Sequence, residues 1–288
     1  MSHIDALPVE KALQTMLSAQ CAAATAVTPA IKDIEHAARA VAEALEQGAT
    51  LHYAAAGSSG LMALADACEL PGTFQVPQAQ IKVHMAGGVP ADGVMPGDTE
   101  DSTDDAARAA GLVASGDVAI VISASGTTPY ALSFASAAKA KGATVIAIAN
   151  TANSALLAAG DIAVLLETGP EILEGSTRLG AGTAQKIALN LISTQVGVLL
   201  GHVHLGMMVN LNPDNIKLRQ RARRIVARIA RVADADAEAA LQATGFNTKA
   251  ATLVARGLDV AEATDLLARH KGQLRACHEA MDTLETTN

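Results

Sequence analysis

Val118-Ala119-Ile120-Val121-Ile122-Ser123-Ala124-Ser125-Gly126-Thr127-Thr128-Pro129 opens as an apolar, β-branched run and ends in small hydroxylated residues, a glycine and a proline. The apolar part is short and does not alternate, as expected of a parallel strand covered on both faces. Pro129 suits the first turn of a following helix. The same sequence of features occurs earlier, where residues 50–55 lead into Ala56-Gly57-Ser58-Ser59-Gly60. Further apolar runs, each bounded by Gly, Asp or Pro, lie at Ile81–Met85, Thr144–Ala149 and 162–166. Helical patterns fall between them at 61–68, 103–113, 130–141 and 153–158. Strand and helix in alternation predict an α/β fold, an open parallel sheet covered by helices on both faces.

Outward from this centre the chain is helical. Residues 8–47 predict two helices parted near Pro29, and longer helices are expected over 181–200 and 213–232. From Ala235 the pattern breaks at Gly245, Gly257 and 270–272 into three or four short helices, with Asp259 placed as an N-cap. The expected organisation is N-terminal helices (1–45), a sheet domain (46–232) and a small C-terminal helical bundle (233–288). Lys217, Arg219, Arg221, Arg223, Arg224, Arg228 and Arg231 crowd one stretch without an acid. An anion or polynucleotide contact is one reading of them; a solvated or interface-lining helix fits the acidic chain better.

Composition narrows the function. The 288 residues carry 21 Lys+Arg against 29 Asp+Glu, a net charge of −8, with two Tyr, three Phe and no Trp. A nucleic-acid binder would want a basic surface and aromatic platforms, so none is expected. The most apolar stretch, 187–200, is interrupted by Asn190, Ser193, Thr194 and Gln195, so no membrane span is expected. The opening Met-Ser-His-Ile-Asp lacks a basic region followed by an apolar one, and Cys21, Cys68 and Cys277 are scattered; both point to the cytoplasm. His52, His84, His202 and His204 show no ligand spacing, so no metal is expected and these histidines read as structural.

The chemistry belongs to the loops, because open α/β sheets bind ligands beyond the carboxyl ends of their strands. Two hydroxyl-rich, glycine-bearing loops each lead into a helix N-terminus, where free amides and the helix dipole favour an anion. Neither is a Walker loop or a dinucleotide fingerprint. A monophosphate on a small molecule is the natural guest, held by Ser58, Ser59, Ser123, Ser125 and Thr128.

Ser123-x-Ser125-Gly126-x-Thr128 resembles the phosphosugar-binding motif of the sugar isomerase (SIS) domain. Further stretches resemble one SIS family, the N-acetylmuramic acid 6-phosphate etherases. These are Asp66-Ala67-Cys68-Glu69-Leu70-Pro71-Gly72-Thr73-Phe74, Ala86-Gly87-Gly88, Glu100-Asp101-Ser102, Gly175-Ser176-Thr177-Arg178 running on to Ala184-Gln185-Lys186, and Asn215-x-Lys217-Leu218-x-x-Arg221. The likeness runs from about residue 10 to the C-terminus. It implies a SIS-type sheet and a cytoplasmic homodimer acting in peptidoglycan recycling without a cofactor. The implied reaction cleaves the D-lactyl ether of the 6-phosphorylated amino sugar, by removal of the C2 proton, loss of the C3 oxygen and hydration. By motif position Glu69 is the implied acid and Glu100 the implied base, with Gly57, Gly126, Ser176 and Arg178 as further substrate-site candidates.

Without the resemblance, Glu69 reads as a solvent-facing helical residue and Glu100 as part of an acidic loop. Three cations of the family pattern are also replaced, by Leu61, Thr127 and Gly180, and a family glycine is Ala55. Losing an arginine partner for a carboxylate is not a mild change. A non-catalytic phosphosugar-binding regulator, like the related eukaryotic glucokinase regulatory proteins, therefore stands as the alternative, with a SIS-type sugar-phosphate isomerase behind it.

Overall fold

In the computed structural model, which describes residues 3–211 and 213–285, the apolar runs form one parallel sheet. Its strands are β1 (Leu51–Ala55), β2 (Ile81–Met85), β3 (Val118–Ser123), β4 (Thr144–Ala149) and β5 (Ile162–Leu165). Their order across the sheet is β2-β1-β3-β4-β5, and every neighbouring pair is parallel. The order reverses between β1 and β3, the switch point at which two successive connections leave for opposite faces and open a crevice. Both hydroxyl-rich loops follow the strands that flank this point.

The helices are α1 (Val9–Thr25), α2 (Ile31–Glu46), α3 (Gly57–Phe74), α4 (Thr103–Ala109), α5 (Pro129–Ala140), α6 (Ala155–Ala159), α7 (Gly180–Leu199) and α8 (Ile216–Ala230). Four short ones follow, α9 (Asp234–Ala243), α10 (Thr248–Val254), α11 (Val260–Arg269) and α12 (Leu274–Glu285). The chain separates into two compact units, one of Met1–Cys68 with Pro77–Gln195, the other of Glu69–Val76 with Val196–Asn288.

In the first unit both sheet faces are buried, which explains the uninterrupted apolar strands. Ala54, Ala119, Val121, Val145 and Ala147 pack with Tyr130, Phe134 and Leu156 of α5 and α6. Residues of the opposite parity, Tyr53, Ile120, Ile122, Ile146 and Ile148, are equally inaccessible, and α2 contacts β1, β3 and β5. Asp66 pins α3. Its buried carboxylate accepts hydrogen bonds from the Tyr53 hydroxyl (2.9 Å), Asn190 Nδ2 (2.8 Å) and Ser193 Oγ (2.8 Å), so the desolvated charge is fully met by donors.

Two differences from the sequence reading have local causes. The helix expected at 61–68 starts earlier and ends later, because Gly57 is already its first residue and Pro71 is accommodated in its last turns. There a missing N–H costs one bond, and the helix stops at Gln75, whose backbone is left-handed (φ 55°). A two-residue antiparallel pair, β6 (Val203–His204) with β7 (Met207–Met208), was not expected, since two-residue strands carry no readable period. In the second unit Asp259 caps α11 as expected, within a full capping box with Glu262. On α8, Arg219 lies over the Phe246 ring (4.9 Å) and Arg223 pairs with Asp234 (3.3 Å).

Candidate functional site

The loop after β3 is a closed set of hydroxyls. Ser123 Oγ, at the strand end, lies 2.8 Å from Thr128 Oγ1 and 3.3 Å from Ser125 Oγ, and accepts the Gly126 amide at 3.0 Å. Ser125 Oγ accepts from both the Thr127 amide (3.2 Å) and the Thr127 hydroxyl (3.0 Å). Gly126 is left-handed (φ 66°), and a Cβ there would collide with Ser154 from the loop after β4. That close approach lets the Gly126 carbonyl accept from the Leu156 amide (2.9 Å) and the Ala124 carbonyl accept from the Asn150 amide (3.0 Å). The two loops therefore form one floor.

After β1 no separate loop intervenes. Gly57 opens α3, so the half-buried Ser58 and the buried Ser59 stand on its first turn, where the amides have no partner within the helix. Gly57 is left-handed (φ 54°), and a Cβ on it would lie 2.5 Å from Glu100 Oε1. Glu100 is held from its other end as well, since its carbonyl accepts the Tyr130 amide of α5 at 3.0 Å. The Glu100 side chain is exposed, and it rests over the start of α3 beside the switch point. Ser58, Ser59, Ser123, Ser125, Thr128, Gly57, Gly126 and Glu100 thus come from one end of one sheet.

A cavity of about 330 Å³ opens along this end, lined by Ser125, Asn150, Thr168, Glu171, Glu174 and Ser176 among others. Arg178 is exposed and lies outside this lining. Glu69 is exposed on α3 within the second unit, so neither unit by itself holds both glutamates.

Two contributors escaped the sequence reading, and a third, Thr127, was read there only as a lost cation. Glu171 caps α7, its two carboxylate oxygens accepting the Gly180 (2.9 Å) and Ala181 (3.0 Å) amides. The signal available was an acid shortly before a helix start. Asn150 borders the cavity and is oriented by Gln185 Nε2, which donates to its Oδ1 at 2.8 Å, while Asn150 Nδ2 donates to the Leu166 carbonyl (2.9 Å). Gln185 is fully buried, and its Oε1 has no hydrogen-bond partner among the described residues. Thr127 works through its hydroxyl, where a cation was missed in the pattern.

This arrangement offers amides and hydroxyls to a phosphate and sets a carboxylate beside it, with no aromatic platform. A family model for the SIS domain matches residues 19–150. The N-acetylmuramic acid 6-phosphate etherase of Streptomyces avermitilis is 39% identical over 279 residues, covering 96% of this chain and 90% of that protein. The protein of the same name from Deinococcus radiodurans is 40% identical over 278 residues, covering 95% and 91%. Among solved structures, a Bacteroides fragilis protein described as a phosphosugar isomerase involved in capsule formation aligns with a TM-score of 0.53 at 17% identity. It covers 66% of this chain and 90% of its own, a likeness of fold.

Proposed function

The chain belongs to the N-acetylmuramic acid 6-phosphate etherase family, carbon–oxygen lyases, and we propose how its own residues carry that reaction. The substrate phosphate is held by the first-turn amides and hydroxyls of α3, at Ser58 and Ser59, and by the Ser123–Ser125–Thr128 loop. Glu100 takes the C2 proton, which the open-chain aldehyde acidifies, and Glu69 protonates the departing C3 oxygen as the D-lactyl group leaves. Water then adds to the unsaturated sugar, giving N-acetylglucosamine 6-phosphate and D-lactate. Ser176 and Arg178 contact the rest of the substrate. The protein acts as a cytoplasmic homodimer.

One observation carries this proposal. Glu100 is seated over Gly57, between two helix starts that suit an anion, so a proton acceptor and a phosphate holder share one end of the sheet. The test is incubation with N-acetylmuramic acid 6-phosphate, following lactate. Glu100→Gln and Glu69→Gln should each lower kcat by about 100-fold or more while leaving phosphosugar binding intact. Full activity in both variants would exclude the mechanism.

A second reading has its own support. Leu61, Thr127 and Gly180 leave the hydroxyl loops without the family's cations, Thr127 spending its hydroxyl on Ser125 and Gly180 its amide on Glu171. A non-catalytic phosphosugar sensor would be stabilised against heat by sugar 6-phosphates and would release no lactate.

A further inference from the structure

A buried polar chain crosses the sheet from the start of β3 through β1 to β2. Asp117 precedes β3, and its carboxylate accepts the Thr50 amide (2.8 Å) and the Ala114 amide (2.7 Å). These bonds, with His52, hold its carboxyl below the usual range against the opposing effect of burial, so it is ionised at neutral pH. His52 Nε2, 3.0 Å from Asp117 Oδ2, must therefore carry the proton and donate it. That leaves His52 Nδ1 as an acceptor, and His84 Nε2, 2.9 Å away, must donate to it. The tautomers are fixed in sequence, and the chain ends on a lone pair at His84 Nδ1, which no other described residue engages.

His84 is 8% exposed, lies edge to edge and nearly coplanar with the His52 ring (12° between planes) and packs against Phe134, so its ring cannot turn freely. It lines a cavity of about 410 Å³ at the β2 edge of the sheet, sharing no residue with the one beside Ser125. A volume of this size suits a small organic ligand. Burial keeps His84 neutral, with its pKa pushed down to about 4. The other polar side chains on the wall are Asp105 and Tyr130. Asp105 is paired with exposed Arg108 through one oxygen, and burial together with the Asp105 charge holds the Tyr130 phenol up at about 12, so it remains an O–H. The lining includes no cationic side chain. Any anion would meet a lone pair and a carboxylate.

We infer that this cavity is a binding site for a small aminopolyol without an anionic group, seated by donation of an O–H or N–H to His84 Nδ1. An ammonium group faces Asp105, and the carbon skeleton lies along Val83, Met85 and Val89.

Three probes of one size and different charge test it by calorimetry on the full chain: D-glucosamine, D-glucose and D-gluconate. Glucosamine should bind most tightly, glucose more weakly and gluconate not at all. His84→Phe keeps a flat ring against Phe134 but has no lone pair, and should weaken glucosamine binding about tenfold or more. Asp105→Asn, on the protein surface, should bring glucosamine to the level of glucose, and Ser125→Ala should leave it unchanged. In the wild-type protein, histidine ring ¹⁵N spectra should report the Nε2–H tautomer at His84, with Nδ1 moving upfield as glucosamine is added. Absence of binding by all three sugars, equal binding of gluconate, a silent His84 nitrogen, or loss of glucosamine binding in Ser125→Ala would overturn the proposal.

Discussion

At Gly57 two demands meet at one α-carbon. The backbone is left-handed, which costs an L side chain about 1 kcal/mol, and the Glu100 carboxylate occupies the space a Cβ would need. Gly57→Ala is therefore expected to push Glu100 off the start of α3. Stability should fall by about 1–2 kcal/mol in denaturant titrations, and lactate release should fall at least tenfold. Unchanged turnover in a destabilised variant would mean that the seating of Glu100 is irrelevant to chemistry. Thr127 makes the complementary case. Its hydroxyl occupies Ser125 Oγ, and Thr127→Arg would free that oxygen while adding a cation, so affinity for a substrate bearing both phosphate and carboxylate should rise about tenfold in competition binding. The two residues differ in legibility. Gly57 was marked by the family resemblance as part of a glycine-bearing stretch after a strand, whereas nothing local to Thr127 says which oxygen it will find.

Among the elements, the start of α7 shows how a helix end can be filled from within. Glu171 lies outside the helix and satisfies two of its first amides, contributing both a cap and a favourable charge against the helix dipole. Glu171→Ala should lower the melting temperature by about 2–4 °C, whereas the same change at exposed Glu174 should move it little. A matching loss at Glu174 would show that the capping geometry is not what stabilises α7. The strands were legible to within a residue at each end because burial on both faces leaves an apolar run that only Gly, Asp or Pro interrupts. Helix starts were less so. Ser58 and Ser59 were expected in a loop ahead of a helix at 61–68, and the helix that opens at the left-handed Gly57 puts them on its first turn instead.

For the molecule as a whole, buried neutral histidines set a pH dependence. His84 in the first unit and His202 and His278 in the second are each pushed down to about 4 by burial. Their folded values lie below the unfolded one of about 6.5, so the unfolded chain binds more protons between those limits. Stability is then fully present above about pH 6.5, falls as the pH drops toward 4, and levels off below. His84 alone accounts for a loss on the order of 2–3 kcal/mol. Melting curves from pH 7.5 to 4.5 should show the decline, and His84→Phe should make it shallower; a flat profile would contradict the buried neutral state.

From the sequence alone came the parallel sheet, the hydroxyl loop after β3, the Asp259 cap and the family, since each is written in short runs whose meaning is local: apolar content, loop chemistry, a spacing. The tertiary structure decided what depends on which loops meet. It set Glu100 over Gly57, joined the Ser125 and Asn150 loops into one floor, and gave the α7 amides to Glu171. It also turned three histidine and aspartate positions far apart in sequence into one directed chain of hydrogen bonds. A side chain's type is local information, but its partner is fixed only when strand order brings distant segments within the 3 Å or so that a hydrogen bond requires.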